Sequence, residues 1–349
     1  MRTSFISSQS LATAPRTNIM SLQQQLAQAT EEVVTGRHAD VGATLGATSG
    51  RLVSLRNSFD DLGALQAGNA LATARLDQTQ VVLDGVSETA NELLRATLAL
   101  PGTSQAVSLL RDQATASLVT FQNAMNASDG RSYLFGGINT GEKPLAELEG
   151  TPMQSVDAAF AAAFGLPAVD PQSSPLVETI MPDDMKAFLE GAFADLFSEA
   201  SWKANWSTAS DQAQQSRISG SRTVSTSASA NEAGLRKLAE SYTILSRLAV
   251  GELRADTRQV LVEHASTVLN GALSELAGLQ SRLGVVQQEI TVANDRLSLQ
   301  LDIVARRVIA QERVDPAEKK VEIDTLSTQI EMSYSLTSKI MNLSILNYR

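Results

Sequence analysis

The chain holds two histidines, His38 and His264, and three adjacent acid pairs, Glu31-Glu32, Asp60-Asp61 and Asp183-Asp184. Imidazoles and carboxylates are the usual groups for moving protons or holding a metal ion. Their placement argues against both uses. His38 sits in a glycine-rich break and His264 in a helical stretch, each without a local partner. Neighbouring acids on a helix point to different faces, so none of the pairs makes an acid–base couple unaided. Asp183-Asp184 follow Pro182 and suit the acidic first turn of a helix. No HExxH, GxSxG, Walker A or GxGxxG pattern occurs, and nothing has the spacing of a calcium loop. The absence of cysteine excludes disulfides, thiolate catalysis and Cys-ligated metal. The expectation is therefore a protein that is not an enzyme and needs no cofactor or metal.

Composition turns attention to helices. The chain is 43% hydrophobic but only 4% aromatic, a balance that suits long helix–helix seams better than a large aromatic core. The net charge of −10 lies mostly in residues 141–215, which carry 3 Lys+Arg against 12 Asp+Glu. Phosphate binding needs a basic patch, so no nucleic-acid partner is expected. No apolar run of ~18 residues exists, so no membrane insertion is expected either. The N-terminus lacks the ~7–15-residue apolar core of a secretory signal. Its first stretch carries Arg2 and Arg16, no acid before Glu31, and many Ser, Thr and Gln, a composition shared with transit peptides.

The elements follow from apolar spacing. Ile19, Leu22, Leu26 and Val33 predict a helix over ~18–35, with Thr17 or Asn18 as cap and Gly36 as stop. A glycine-rich break follows, and then a long stripe from Leu52 to Leu94 alternating by three and four. Its polar members Gln66, Asn69, Gln80 and Ser87 are suited to fixing register. Pro101-Gly102 should end it. Val107, Leu110, Ala114, Leu118, Phe121 and Met125 define a second helix, completing an antiparallel hairpin. Ser132–Phe135 reads as a short β-prone run that could pair with residues 216–230. Residues ~181–200 read as one helix. From Glu232 the helical stripes return, interrupted at Asp315-Pro316, where Pro suits the first residue of a new helix. The predicted fold is mainly α: an elongated antiparallel bundle of N- and C-terminal flanks, a short β element and an inserted α(+β) middle domain. Apolar stripes at both ends cannot bury themselves alone, which points to assembly.

Several segments together resemble the bacterial flagellin family. They are Leu26–Arg37 (LAQATEEVVTGR), Asn69–Leu83 (NALATARLDQTQVVL), Ser128–Gly137 (SDGRSYLFGG), Ser229–Leu238 (SANEAGLRKL), Asp315–Glu318 and Leu343–Tyr348. The SDGRSYLFGG segment is the most specific, and it is similar to the segment leading out of the bundle in members that join hook to filament. One departure is the loop after the first helix, where the family often has Ser-x-x-Asp-Asp-Pro. Here the sequence is Arg37-His38-Ala39-Asp40-Val41-Gly42-Ala43.

The resemblance implies a structural component of the flagellum, exported unfolded without a cleaved signal peptide and polymerised outside the cell. Its implied partners are itself, neighbouring hook-associated and flagellin subunits, and an export chaperone before secretion. The expected division is 1–36 as N-terminal assembly helix, 37–140 as N-terminal bundle, 141–215 as variable acidic domain, 216–314 as return and C-terminal bundle, and 315–349 as C-terminal assembly helix. The expected assembly interface is Leu22, Leu26, Val33, Leu326, Ile330, Ile340, Leu343, Ile345 and Leu346. The family motif comprises Arg131, Tyr133, Leu134, Phe135, Gly136 and Gly137. Filament flagellin and a cytosolic coiled-coil adaptor are the alternative readings.

Overall fold

The structure is a computed structural model that describes the backbone of residues 8–99 and 103–346, with side chains for residue 13 and residues 16–99 and 103–339. The helices are α1 (Ser8–Thr35), α2 (Val41–Leu45), α3 (Ser49–Leu98), α4 (Ser104–Met125), α5 (Thr151–Phe164), α6 (Pro182–Phe188), α7 (Ala194–Leu196), α8 (Glu199–Asn205), α9 (Ala233–Arg247), α10 (Ala255–Glu312) and α11 (Pro316–Leu346). β1 (Gln215–Arg217) and β2 (Thr223–Ser225) form a two-stranded antiparallel hairpin. The architecture is the mainly α bundle with a small β element that the stripes predict. The chain divides into two compact units, Met1–Gly63 with Ser298–Arg349, and Ala64–Leu297.

In the first unit α1 and α11 run antiparallel. Lys319 meets Glu32 near one end of the pair, and Gln23 meets Tyr334 further along it. The described seam is thin. Ile19, Ala29 and Leu326 are buried, while Leu22, Leu26, Val33 and Ile330 are half-buried. α1 begins well before the predicted start. Thr17 therefore caps nothing, and its hydroxyl donates back to the Thr13 carbonyl at 3.1 Å, the usual arrangement for Thr inside a helix. Gly36 ends α1 at φ +68°, and Pro316 opens α11. Pro101-Gly102 lies outside the described backbone.

The second unit holds the main core. The rear of α3 (Leu76, Leu83, Val86, Ala90, Leu93), α4, α9 and the front of α10 (Leu261 to Ala293) share one apolar cluster. All six predicted α4 positions are buried. Polar groups align α3 with α10. The Asn69 amide donates to Asn294 Oδ1 at 2.8 Å, Gln80 to the Gln280 carbonyl at 2.9 Å, and Gln287 to Asp77 at 2.6 Å. Each bond is satisfied in one antiparallel register only, and the one at Asn69, whose side chain is buried, specifies the alignment most strongly.

The middle of the sequence differs from its prediction twice. Residues 181–200 are not one helix. α6 passes through a π-type turn at Leu189–Phe193, where Gly191 leaves helical geometry at φ −113°, ψ −106°. The extra residue shifts the inward stripe by one position, so that Phe193 and Phe197 are buried while Ala192 is exposed. The few aromatics are also concentrated here. Phe160, Phe164, Phe188, Phe193, Phe197, Trp206 and Trp202 form a continuous chain of ring contacts, ending in two stacked indoles 5.1 Å apart. This small segment thus gains a dense core that whole-chain composition conceals. Arg247 on α9 fastens it by a two-pronged ion pair to Asp157 on α5, at 3.0 and 2.7 Å.

Candidate functional site

The terminal pair is the first candidate surface. Beyond its half-buried seam, α1 leaves Met20 63% and Val34 81% exposed, and a shallow groove is lined by Gln23, Leu26, Ala27, Thr30, Glu31 and Val34. Of the predicted interface residues, Leu22, Leu26 and Val33 lie on α1, and Leu326 and Ile330 on α11. The side chains of Ile340, Leu343, Ile345 and Leu346 lie outside the described residues. The groove's apolar floor is Leu26, Ala27 and Val34, and Glu31 is the one ionisable group that lines it. What it can do is bury area against another helix.

The joint at the base of the pair was not legible as a site. Glu32 and Glu312 are buried carboxylates. Glu32 accepts from Lys319 Nζ at 2.7 Å and the Ala39 N–H at 2.9 Å, with His38 Nδ1 3.6 Å away. His38 is therefore close to a carboxylate, although its Nδ1 makes no hydrogen bond. Burial alone would push the Glu32 carboxyl up, but Lys319, the Ala39 N–H and His38 outweigh it and hold its pKa below the ordinary carboxylate value. Glu312 accepts from Arg56 Nε at 3.1 Å and lies 3.5 Å from Arg37. Asp40 caps α2 by accepting from the Ala43 N–H at 2.8 Å.

The second candidate is the loop that leaves α4. Asp129 Oδ1 accepts from the N–H groups of Arg131 and Ser132, each at 2.8 Å, which builds a tight turn and keeps the Asp129 pKa low. Leu134 and Phe135 are fully buried, while Arg131 is exposed. Arg75 on α3 reaches into the loop. Its guanidinium donates to the Tyr133 carbonyl at 2.6 Å, the Leu134 carbonyl at 3.2 Å and Ser132 Oγ at 2.7 Å, with Asp129 at 3.4 Å. Burial pushes the Arg75 pKa down and Asp129 pulls it back.

Tyr133–Phe135 do not pair with residues 216–230 as a sheet. The 215–225 segment folds on itself as β1–β2, because its hydrogen bonds are met locally. The strand-like pairing of Tyr133–Gly136 with the returning residues 216–230 is a Gly136–Ser229 bridge and the Ala230 N–H bonded to the Phe135 carbonyl at 2.8 Å. Gly136 and Gly137 allow the close approach. Gly137 has φ +62°, and an added Cβ would strike the Ser210 and Gln212 carbonyls.

One further titratable group stands out. Glu240 on α9 is buried, and that burial pushes its pKa up to about 7, despite Lys237 and Arg236. The carboxyl ionises at about pH 4.5 when unfolded and about 7 when folded, so stability is full below pH ~4.5 and falls as pH rises to ~7. Glu240→Gln is expected to flatten that fall, gaining up to ~3 kcal/mol at pH 8 relative to pH 4. Urea denaturation across pH measures it, and an unchanged slope would show that Glu240 stays ionised in the fold.

Residues 6–140 match the bacterial flagellin N-terminal helical region, and residues 266–348 match the C-terminal helical region. The chain belongs to the bacterial flagellin family. This is a structural family of the flagellum rather than an enzymatic one, and its members polymerise with themselves and with other flagellar subunits. Among solved structures, this flagellin-family chain is similar in fold to one assigned as a flagellar hook-associated protein of Vibrio parahaemolyticus. The identity is 12% and the TM-score 0.51, over 75% of this chain and 96% of that one. No curated protein matches the sequence. Among the described residues no helix is long and apolar enough to cross a membrane. The two matched regions of this flagellin-family protein flank the Pro-rich, aromatic middle, which neither includes.

Proposed function

We propose that this flagellin-family protein is the subunit that joins hook to filament, of the hook-associated protein 3 kind. In this reading it is exported with the help of a chaperone, and its terminal helices polymerise outside the cell. The observation that carries the reading is the Ser128–Gly137 exit loop, whose SDGRSYLFGG sequence is held as a unit by Arg75 and by backbone bonds to the returning chain. The fold similarity to a structure assigned as hook-associated supports it.

Residues 1–36 and 315–349 act as assembly helices, 37–140 and 216–314 as the bundle, and 141–215 as the variable domain. Leu22, Leu26, Val33, Leu326, Ile330, Ile340, Leu343, Ile345 and Leu346 supply the contact, each fully buried Leu or Ile contributing about 1.5–3 kcal/mol. Deleting the gene should leave hooks without attached filaments, and cells that keep normal filaments would refute the junction role. A filament flagellin would instead grow into long filaments from purified protein alone.

A narrower test uses Val34, which is exposed on the isolated chain. Val34→Asp should change chain stability by no more than about 0.5 kcal/mol, yet weaken addition to purified hook ends by about tenfold or more. Undiminished addition would place the assembly contact elsewhere.

A further inference from the structure

We propose that the joint built on Glu32 and Glu312 is a register lock for the terminal helix pair: two buried carboxylates, each paired with a cation from the opposite flank of the chain, admit a single alignment of α1 against α11. The inference rests on the geometry of the first unit and holds whether or not the pair is the assembly element.

The two breaks in the helical flanks lie side by side. Arg37 and Arg313 form an antiparallel bridge, the His38 N–H donates to the Glu312 carbonyl at 3.0 Å, and the Val314 N–H donates to the Gly36 carbonyl at 3.2 Å. Each carboxylate then crosses from one flank to the other. Glu32, at the end of α1, takes Lys319 from the first turns of α11. Glu312, at the end of α10, takes Arg56 of α3 and Arg37 of the first break. Their side chains are 9% and 2% exposed, so neither can exchange its protein partners for water.

The apolar seam cannot set the alignment by itself. Its described fully buried residues are Ile19, Ala29 and Leu326, and the rest of the stripe is half-buried. A thin stripe of this kind accepts a slip of one helical turn, about 5.4 Å, at small cost. The joint does not. Such a slip carries Lys319 out of reach of Glu32 and leaves a buried carboxylate without its cation, a heavily penalised state. The buried charges, together with the backbone bridge between the breaks, thus hold the alignment at one end of the pair, and the apolar stripe follows.

The chain has no cysteine, so introduced cysteines report alignment without background. Gln23 Nε2 lies 3.1 Å from Tyr334 Oη, so Gln23→Cys with Tyr334→Cys, joined by a short bismaleimide that spans the two shortened side chains, marks the native register. Gln23→Cys with Ile330→Cys, or with Ser338→Cys, marks a slip of one turn in either direction. With the joint intact, the native pair in the full-length soluble chain should cross-link about tenfold more completely than either slipped pair. Glu32→Gln with Glu312→Gln should bring the three pairs to within about threefold of one another.

Circular dichroism shows whether that variant keeps its helix content. If it does not, Lys319→Met with Arg56→Met, which removes the cations instead, decides the matter by the same readout. A native preference that survives loss of the carboxylates or cations overturns the proposal, as does no preference in the unaltered joint. Addition to hook ends, measured separately, judges the assembly reading.

Discussion

Replacing Arg75 with leucine is expected to destabilise the fold by ~3–5 kcal/mol, measured by urea denaturation. Arg75 is 10% exposed and binds the carbonyls of Tyr133 and Leu134 directly. Leucine fills part of the space but offers no donor, so two carbonyls beside a buried Leu134-Phe135 pair lose theirs. The loss of Asp129's counter-charge adds less, because Asp129 is 30% exposed and its pKa is lowered mainly by backbone N–H groups. Arg75→Lys should recover only part of the loss, since one ammonium cannot span the same fork of acceptors. A cost below ~1 kcal/mol for the leucine variant would mean that the Asp129 turn holds the loop without help. The effect should also appear in function, because the displaced loop is the route by which the chain leaves the bundle.

Gly137→Ala should cost ~3–4 kcal/mol, while Gly130→Ala in the same loop should cost only ~1 kcal/mol. Both glycines have positive φ, +62° and +88°, so the backbone strain is similar for the two. They differ in space. Nothing lies within 4 Å of a Cβ added at Gly130, whereas one at Gly137 runs into two backbone carbonyls, with Gln212 O at 2.7 Å. Those carbonyls belong to the segment held by the Ser210 N–H bond to the Gly136 carbonyl and by Asn231, so they cannot retreat cheaply. Thermal unfolding of the two variants side by side separates strain from overlap. Equal losses would show that the chain around Ser210 yields.

The helices of the flanks were legible because helix periodicity is local. Leu110, Ala114, Leu118 and Phe121 bury one face by spacing alone, and no distant residue is needed to see it. Pro316 as a helix start and Asp183-Asp184 as an acidic first turn were equally local. The SDGRSYLFGG segment was visible as a motif, yet its anchor was not. Arg75 falls in the Asn69–Leu83 segment that resembles the family's Asn-x(5)-Arg-Leu signature, but its acceptors lie more than fifty residues away, so its contacts are not visible there. A second signal is a long cation on the same face as the core residues Ala72 and Leu76.

Sequence by itself therefore determined the mainly α class, the placement of the long helices and the family, all of which rest on short-range spacing and contiguous motifs. The tertiary structure alone decided which polar groups are buried and against what. Glu32, half of an ordinary acid pair, and Glu312 became the charged nodes of a joint between chain ends nearly three hundred residues apart. The β segment paired with its own neighbour, and the π turn at Gly191 shifted the inward stripe so that Phe197 rather than Leu196 is buried. The physical reason is common to all three. Burial and hydrogen-bond satisfaction depend on what arrives from elsewhere in the chain, and helical periodicity carries no record of that arrival.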